Sequence, residues 1–155
     1  MATQRFCLIG LCALILSLIC MASWYRKADT QTFNGCGPKS LYAVCSHLGM
    51  HVGEEQILRL MGDHADVSSL ADLQEAAKHL GLKADGMNAT VQDLQGSKTL
   101  AILHVEGFHF IAVVGYKPHG LVIVDPASPS YPEEQVISDA NLRRIWDGRA
   151  LVITR

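Results

Sequence analysis

"TLAILHVEGFHFIAVVGYKPHGLVIVDP", residues 99–126, is where the pattern of this chain changes. Three short runs, "TLAILHV", "FHFIAVVGY" and "GLVIVDP", are rich in β-branched and aromatic residues. Turn formers, Gly107 and the "KPHG" stretch, separate them, so the runs read as strands joined by hairpins. Upstream the period is helical. In the run that Pro38 opens, Leu41, Val44, Cys45 and Leu48 recur at three- and four-residue spacing, and Gly49 closes it.

Further helices follow that one. "GEEQILRLM" carries acids in its first turn, and "SSLADLQEAAKHLG" has a serine cap, an apolar face through Leu70, Leu73, Ala77 and Leu80, and a glycine stop at Gly81. "TVQDLQ" predicts another helical turn, "SDANLRRIW" a late helix and "RALVITR" a final strand. Helices first and strands afterwards predict an α+β domain, N-terminal helices packed on a C-terminal antiparallel sheet. The chain has no internal repeat and no low-complexity segment.

The 155 residues are 49% apolar and 18% charged, with a net charge of −2. That balance is too apolar for disorder and offers no basic run for nucleic acid. "FCLIGLCALILSLICMA", residues 6–22, carries no charge and follows Arg5, which predicts a signal peptide or membrane anchor over 1–23. Residues 24–33 then read as a linker into a domain over 34–155. Cys7, Cys12 and Cys20 sit in the apolar leader, leaving Cys36 and Cys45 in the domain. Nine residues apart on one helix, these two lie about 13 Å apart, too far for a disulfide. The domain is therefore expected to be held by its core.

Three element ends carry candidate chemistry. Cys36 stands before the first helix, where free backbone N–H groups and the helix dipole favour a thiolate. Gly35 and Gly37 let the backbone turn sharply and let a substrate approach closely, so they are candidate substrate-binding positions. His109 begins a strand and is a candidate base; Asp125 ends the next strand and is a candidate orienter. A hairpin joining those strands brings His109 and Asp125 to one rim, with the carboxylate accepting the second ring N–H.

Each signal has a plainer reading beside it. A lone cysteine at a turn is usually structural, a histidine in an apolar strand is usually a core group, and aspartate before proline usually forms a turn. Metal is a poorer account of the seven histidines: His47 and His51 are separated by Gly49, HEXXH is absent, and His64 is a loop residue. His79, His104 and His119 read as surface or strand-end residues. Asn88-Ala-Thr90 matches a glycosylation triplet of the kind common by chance. No metal or organic cofactor is implied.

Taken together, residues 31–155 resemble the papain-like cysteine peptidases that process bacteriocin and other double-glycine leader peptides. The shared motifs are "CGPKSL" opening a helix, "HFIAVV" opening a strand and "DP" closing the next. The resemblance implies a papain-like fold, a Cys36–His109–Asp125 triad, and cleavage of peptides after small residues such as a Gly-Gly pair. It also implies an oxyanion glutamine. In the family that residue stands six positions before the cysteine; here Thr30 holds the place and Gln31 follows it. Gln31 and the Cys36 backbone N–H are the candidate donors. The position before the nucleophile, often acidic in the family, is Gly35. Members often precede an exporting ATPase, but this sequence has no GxxxxGK[ST] loop, which predicts a freestanding enzyme exported to or anchored in the bacterial cell envelope. Two other readings share the residues: a peptide-binding module that has lost its chemistry, and an acyltransferase or amidase using the same thioester.

Overall fold

The computed structural model describes residues 35–155. The leader, the linker and Gln31 lie outside the described residues. Among those described, no helix is long and apolar enough to cross a membrane.

The chain builds α1 (Cys36–His47), α2 (Glu54–Met61), α3 (Leu70–His79), β1 (Lys83–Asn88) and α4 (Val91–Ser97). It continues with β2 (Leu100–Val105), β3 (His109–Lys117), β4 (Gly120–Val124), β5 (Glu134–Ser138), α5 (Asp139–Ile145) and β6 (Trp146–Thr154). The six strands form one antiparallel sheet in the order β1-β6-β2-β3-β4-β5. The α+β expectation holds, with helices on both faces.

Each strand position has a face, and the side chains sort accordingly. Ile102, Phe110, Ala112, Val114, Leu151 and Ile153 pack with Leu41, Val44, Cys45, Ile57 and Leu73 from α1–α3. The alternate set, Ala101, Leu103, Ile111, Val113 and Ala150, packs with Val91 and Leu94 of α4 and Leu142 of α5. With both faces covered, β3 is apolar without alternation, which explains "FIAVV". Each Leu or Ile fully removed from water there contributes about 1.5–3 kcal/mol.

Three features differ from the sequence expectation. The edge strands β1 and β5 carry the polar runs "KADGMN" and "EQVIS", which lack a strand pattern because most of their side chains face solvent. The helix expected from Pro38 starts at Cys36. Pro38 thus occupies the third helical position, still within the first turn, where a missing N–H costs no intrahelical bond. β6 begins at Trp146 and is interrupted opposite β2. Leu103 pairs with Ala150 and Val105 with Trp146, so His104 alone faces Asp147, Gly148 and Arg149.

Candidate active site

The site begins with how α1 starts. Gly35 is its N-cap, in an extended conformation with no side-chain cap. A Cβ at Gly35 would lie 2.1 Å from the Ala65 carbonyl oxygen, and one at Gly37 would lie 2.8 Å from Ser68. The chain's own 65–68 segment therefore occupies the room these glycines leave, which gives both positions a steric reason for glycine. Pro38 contributes no donor, and the Lys39 N–H bonds the Gly35 carbonyl at 3.2 Å. The open donors of this helix end are the N–H groups of Cys36 and Gly37.

The second part comes from a gap in the sheet. β3 pairs with β4 only from Ala112 onward, because β4 ends at Val124 and the chain turns at Asp125-Pro126. Beyond that point, the Phe110 N–H has no β4 partner, and it helps to lower the Cys36 thiol. The α1 N-terminus thus docks where the β3–β4 ladder opens.

His109 is the first residue of β3, and its Nε2 lies 2.7 Å from Asp125 Oδ1. An ionised carboxylate only accepts, so Nε2–H donates and Nδ1 is left for the Cys36 side. The same Oδ1 accepts the Ala127 N–H at 2.8 Å, fixing the carboxylate within its own turn. Further along this loop, the Tyr131 ring lies 5.4 Å from Lys39 Nζ, and its hydroxyl reaches Glu54 at 3.5 Å. The loop carrying the acid therefore rests on α1, which carries the thiol, and on the start of α2.

Burial pushes the Cys36 thiol up, but this is outweighed. The His109 hydrogen bond, the Phe110 N–H, the imidazole charge and the Gly37 N–H together bring it below its ordinary value. The Cys36 hydrogen bond raises His109 most; burial opposes it, and the Asp125 hydrogen bond and charge add to the rise. A thiol pushed down beside an imidazole pushed up is the electrostatic pattern of a thiolate–imidazolium pair. Cys45, wholly buried nine residues along the same helix, is pushed up to about 11 by burial. Both cysteines are free.

The structure thus brings Cys36, His109 and Asp125 together, with Gly35 and Gly37 at the turn beside the thiol. Two neighbouring features had no sequence signal. The Phe110 N–H is a backbone group, and only tertiary pairing reveals that it is unspent. His104, expected at a surface or strand end, stands next to the end of β2 and is half-buried, with a ring centroid 5.1 Å from that of Phe110.

The Peptidase C39 family model matches residues 27–155. Over 134 residues the chain is 28% identical to the colicin V secretion/processing ATP-binding protein of Escherichia coli, covering 84% of this chain and 18% of that protein. An uncharacterized protein of Methanothermobacter thermautotrophicus is 25% identical over 120 residues, 77% of this chain and 82% of that one. Among solved structures, a double glycine motif protease from an AMS/PCAT transporter, in complex with the leader peptide, superposes with a TM-score of 0.66. It is 26% identical, with 80% of this chain and 86% of that chain covered. The peptidase domain of Streptococcus ComA, a bi-functional ABC transporter, gives a TM-score of 0.64 at 24% identity, with 78% and 91% covered, a likeness of fold.

Proposed function

Since the chain belongs to the peptidase C39 family and is a cysteine peptidase, we propose that Cys36 is its nucleophile, His109 its base and then acid, and Asp125 the orienter. The observation that carries this reading is the 2.7 Å His109–Asp125 bond beside the start of α1, and the directions of the Cys36 and His109 shifts, thiol down and imidazole up, agree with it. In acylation the Cys36 thiolate attacks the scissile carbonyl carbon. The carbonyl electron pair moves to oxygen and returns as the C–N bond breaks. The proton held by His109 passes to the leaving amine. Water, deprotonated by His109, then attacks the thioester and releases the acid and the thiol. Asp125 holds the ring tautomer through both halves.

The Cys36 backbone N–H and the Gln31 side chain are the proposed oxyanion donors. Gly35 and Gly37 are proposed to lie against the substrate backbone beside their steric task. The proposed substrate is a leader peptide cut after Gly-Gly. Two glycines bring no side chain to a nucleophile set in so close a turn, and the transporter protease of matching fold was solved with a leader peptide. Residues 1–23 are proposed as a signal or anchor, 24–33 as a linker, and the bacterial cell envelope as the location.

The test is iodoacetamide labelling of the full chain from acid to mildly alkaline pH, with Cys36 and Cys45 resolved by peptide mapping. Cys36 is expected to label well below the ordinary thiol value of about 8.5, and a Gly-Gly peptide panel to be hydrolysed to free acid. Cys36 titrating as an ordinary thiol, or Gly-Gly peptides left uncut, overturns the reading. An amide or ester product in place of the acid marks a transferase.

A further inference from the structure

The loop that carries Asp125, residues 125–133, runs from the end of β4 to the start of β5. Its first turn is bonded twice. The Ala127 N–H donates to Asp125 Oδ1 at 2.8 Å, and the Ser128 N–H donates to the Asp125 carbonyl at 3.0 Å. The carboxylate and its own backbone are therefore tied to one short turn that ends at Ser128.

The Ser128 hydroxyl is where the rest of the loop converges. It accepts the Ser130 N–H at 3.3 Å and lies 2.9 Å from the Ser130 hydroxyl. Gln135 Nε2, from β5, donates to Ser128 Oγ and, at 3.1 Å, to Ser130 Oγ. Donor counting gives this cluster a direction. Ser128 Oγ accepts from the Gln135 amide and from the Ser130 N–H, so both of its lone pairs are spent. Its own proton then goes to Ser130 Oγ, whose other lone pair takes the second amide hydrogen. Gln135 is thus a two-pronged donor, a part that neither a carboxylate nor an apolar side chain can play. It is half-buried, while its neighbours Glu134 and Val136 are exposed. The ladder fixes its backbone opposite Ile123 of β4, two residues before Asp125.

We propose that Gln135 is a positioning residue for Asp125, acting through the Ser128 hydroxyl on the turn that presents the carboxylate to His109. Closing the loop does not need this fork. Val124 and Glu134 already pair at its base, and Tyr131 already docks its outer part on the helices. The fork instead fixes the turn between those two anchors, which is the part that sets the aim of the carboxylate. A shift of about 1 Å in such a group costs up to about a hundredfold in rate. The proposal rests on the orienter reading of Asp125 above and adds the side chain that aims it.

The test follows the His109 imidazole by NMR titration of the full chain, its resonance assigned with His109→Ala. The charges that act on His109 are those of Asp125 and Cys36, and both stay in place in the variants. Gln135→Met keeps the chain length and removes the fork, Ser128→Ala removes its acceptor, and Ser128→Thr restores the hydroxyl. The first two are expected to let His109 deprotonate at lower pH, in the direction of Asp125→Asn but by less. They are also expected to lower kcat on a Gly-Gly peptide about tenfold with KM unchanged. Ser128→Thr is expected to titrate as wild type. In an Asp125→Asn background, Gln135→Met is expected to add no further shift. A wild-type His109 titration in Gln135→Met and Ser128→Ala, even with stability lost, makes the fork a loop stabiliser and overturns the proposal. So does an undiminished further shift in the Asp125→Asn background. A wild-type titration in Asp125→Asn alone overturns the orienter reading instead.

Discussion

Two kinds of helix start coexist in this domain. α3 and α4 open with reciprocal caps. Ser69 accepts the Asp72 N–H while the Asp72 carboxylate accepts the Ser69 N–H, and Thr90 and Asp93 repeat the arrangement. α1 opens on Gly35 with no side-chain cap and no acid in its first turn. The first kind satisfies the N–H at the third helical position with hydroxyl oxygen and the cap residue's own N–H with carboxylate oxygen. The second keeps its free donors for a sulfur that is to carry negative charge. A carboxylate at the start of α1 would occupy those donors and repel the thiolate. The difference shows a helix end can be stabilised locally or kept reactive, and that the reactive one must be held by tertiary packing. Here the 65–68 segment, the Phe110 N–H and His109 do the holding.

The comparison breaks most sharply if the imidazole is removed. His109→Ala is expected to lower kcat on a Gly-Gly peptide about a thousandfold and to return Cys36 to an ordinary thiol titration. A variant that kept the low titration would assign the thiolate to the helix end alone. Next comes Gly35→Ala, whose Cβ would meet the Ala65 carbonyl at 2.1 Å. It is expected to cost about 3 kcal/mol in urea unfolding, the upper range for overpacking. Unchanged stability would mean the segment does not hold the helix start.

Asp125→Asn sharpens the electrostatics. Its charge contributes to raising His109, so the variant's imidazolium deprotonates at lower pH and the alkaline limit of the thiolate–imidazolium window moves down. A loss of about a hundredfold in kcat with little change in KM is expected from a steady-state pH profile. The smallest effect belongs to the capped helices. Ser69→Ala is expected to cost about 1 kcal/mol in thermal or urea unfolding and to leave the Cys36 labelling rate unchanged. The Ser69 hydroxyl first, then its N–H, hold Asp72 below its ordinary value. A depressed folded value gives stability that is present at neutral pH. It is lost as pH falls from about 3.9 through the lower folded value. The stability difference between wild type and Ser69→Ala should therefore shrink over that acid range.

The contrast also explains what was legible in the sequence. Caps are local, so Ser69 and the stops at Gly49 and Gly81 could be read directly. The four buried or half-buried strands were legible from β-branched content, but β1 and β5 were not, since an edge strand spends its backbone on one neighbour and its side chains on water. Cys36, His109 and Asp125 were legible as a set because each stands at an element end in a short motif. The clash partners of Gly35 and Gly37 and the unspent Phe110 N–H come from segments far apart in sequence. The β6 interruption, spread over Asp147, Gly148 and Arg149, likewise exists only by reference to His104 on another strand.

The bond between His109 and Asp125 spans 16 residues and crosses one tight hairpin, whereas Cys36 joins them from the far side of three helices. The proposed base and orienter are thus neighbours in any chain long enough to form β3 and β4, since closing so short a loop is entropically cheap. The proposed nucleophile is made earliest on the ribosome and meets its partners last. Until β3 has emerged and docked, Cys36 lacks His109 and Phe110 and keeps only the neighbouring Gly37 N–H, so a chain cut before β3 is expected to carry a thiol without its imidazole partner.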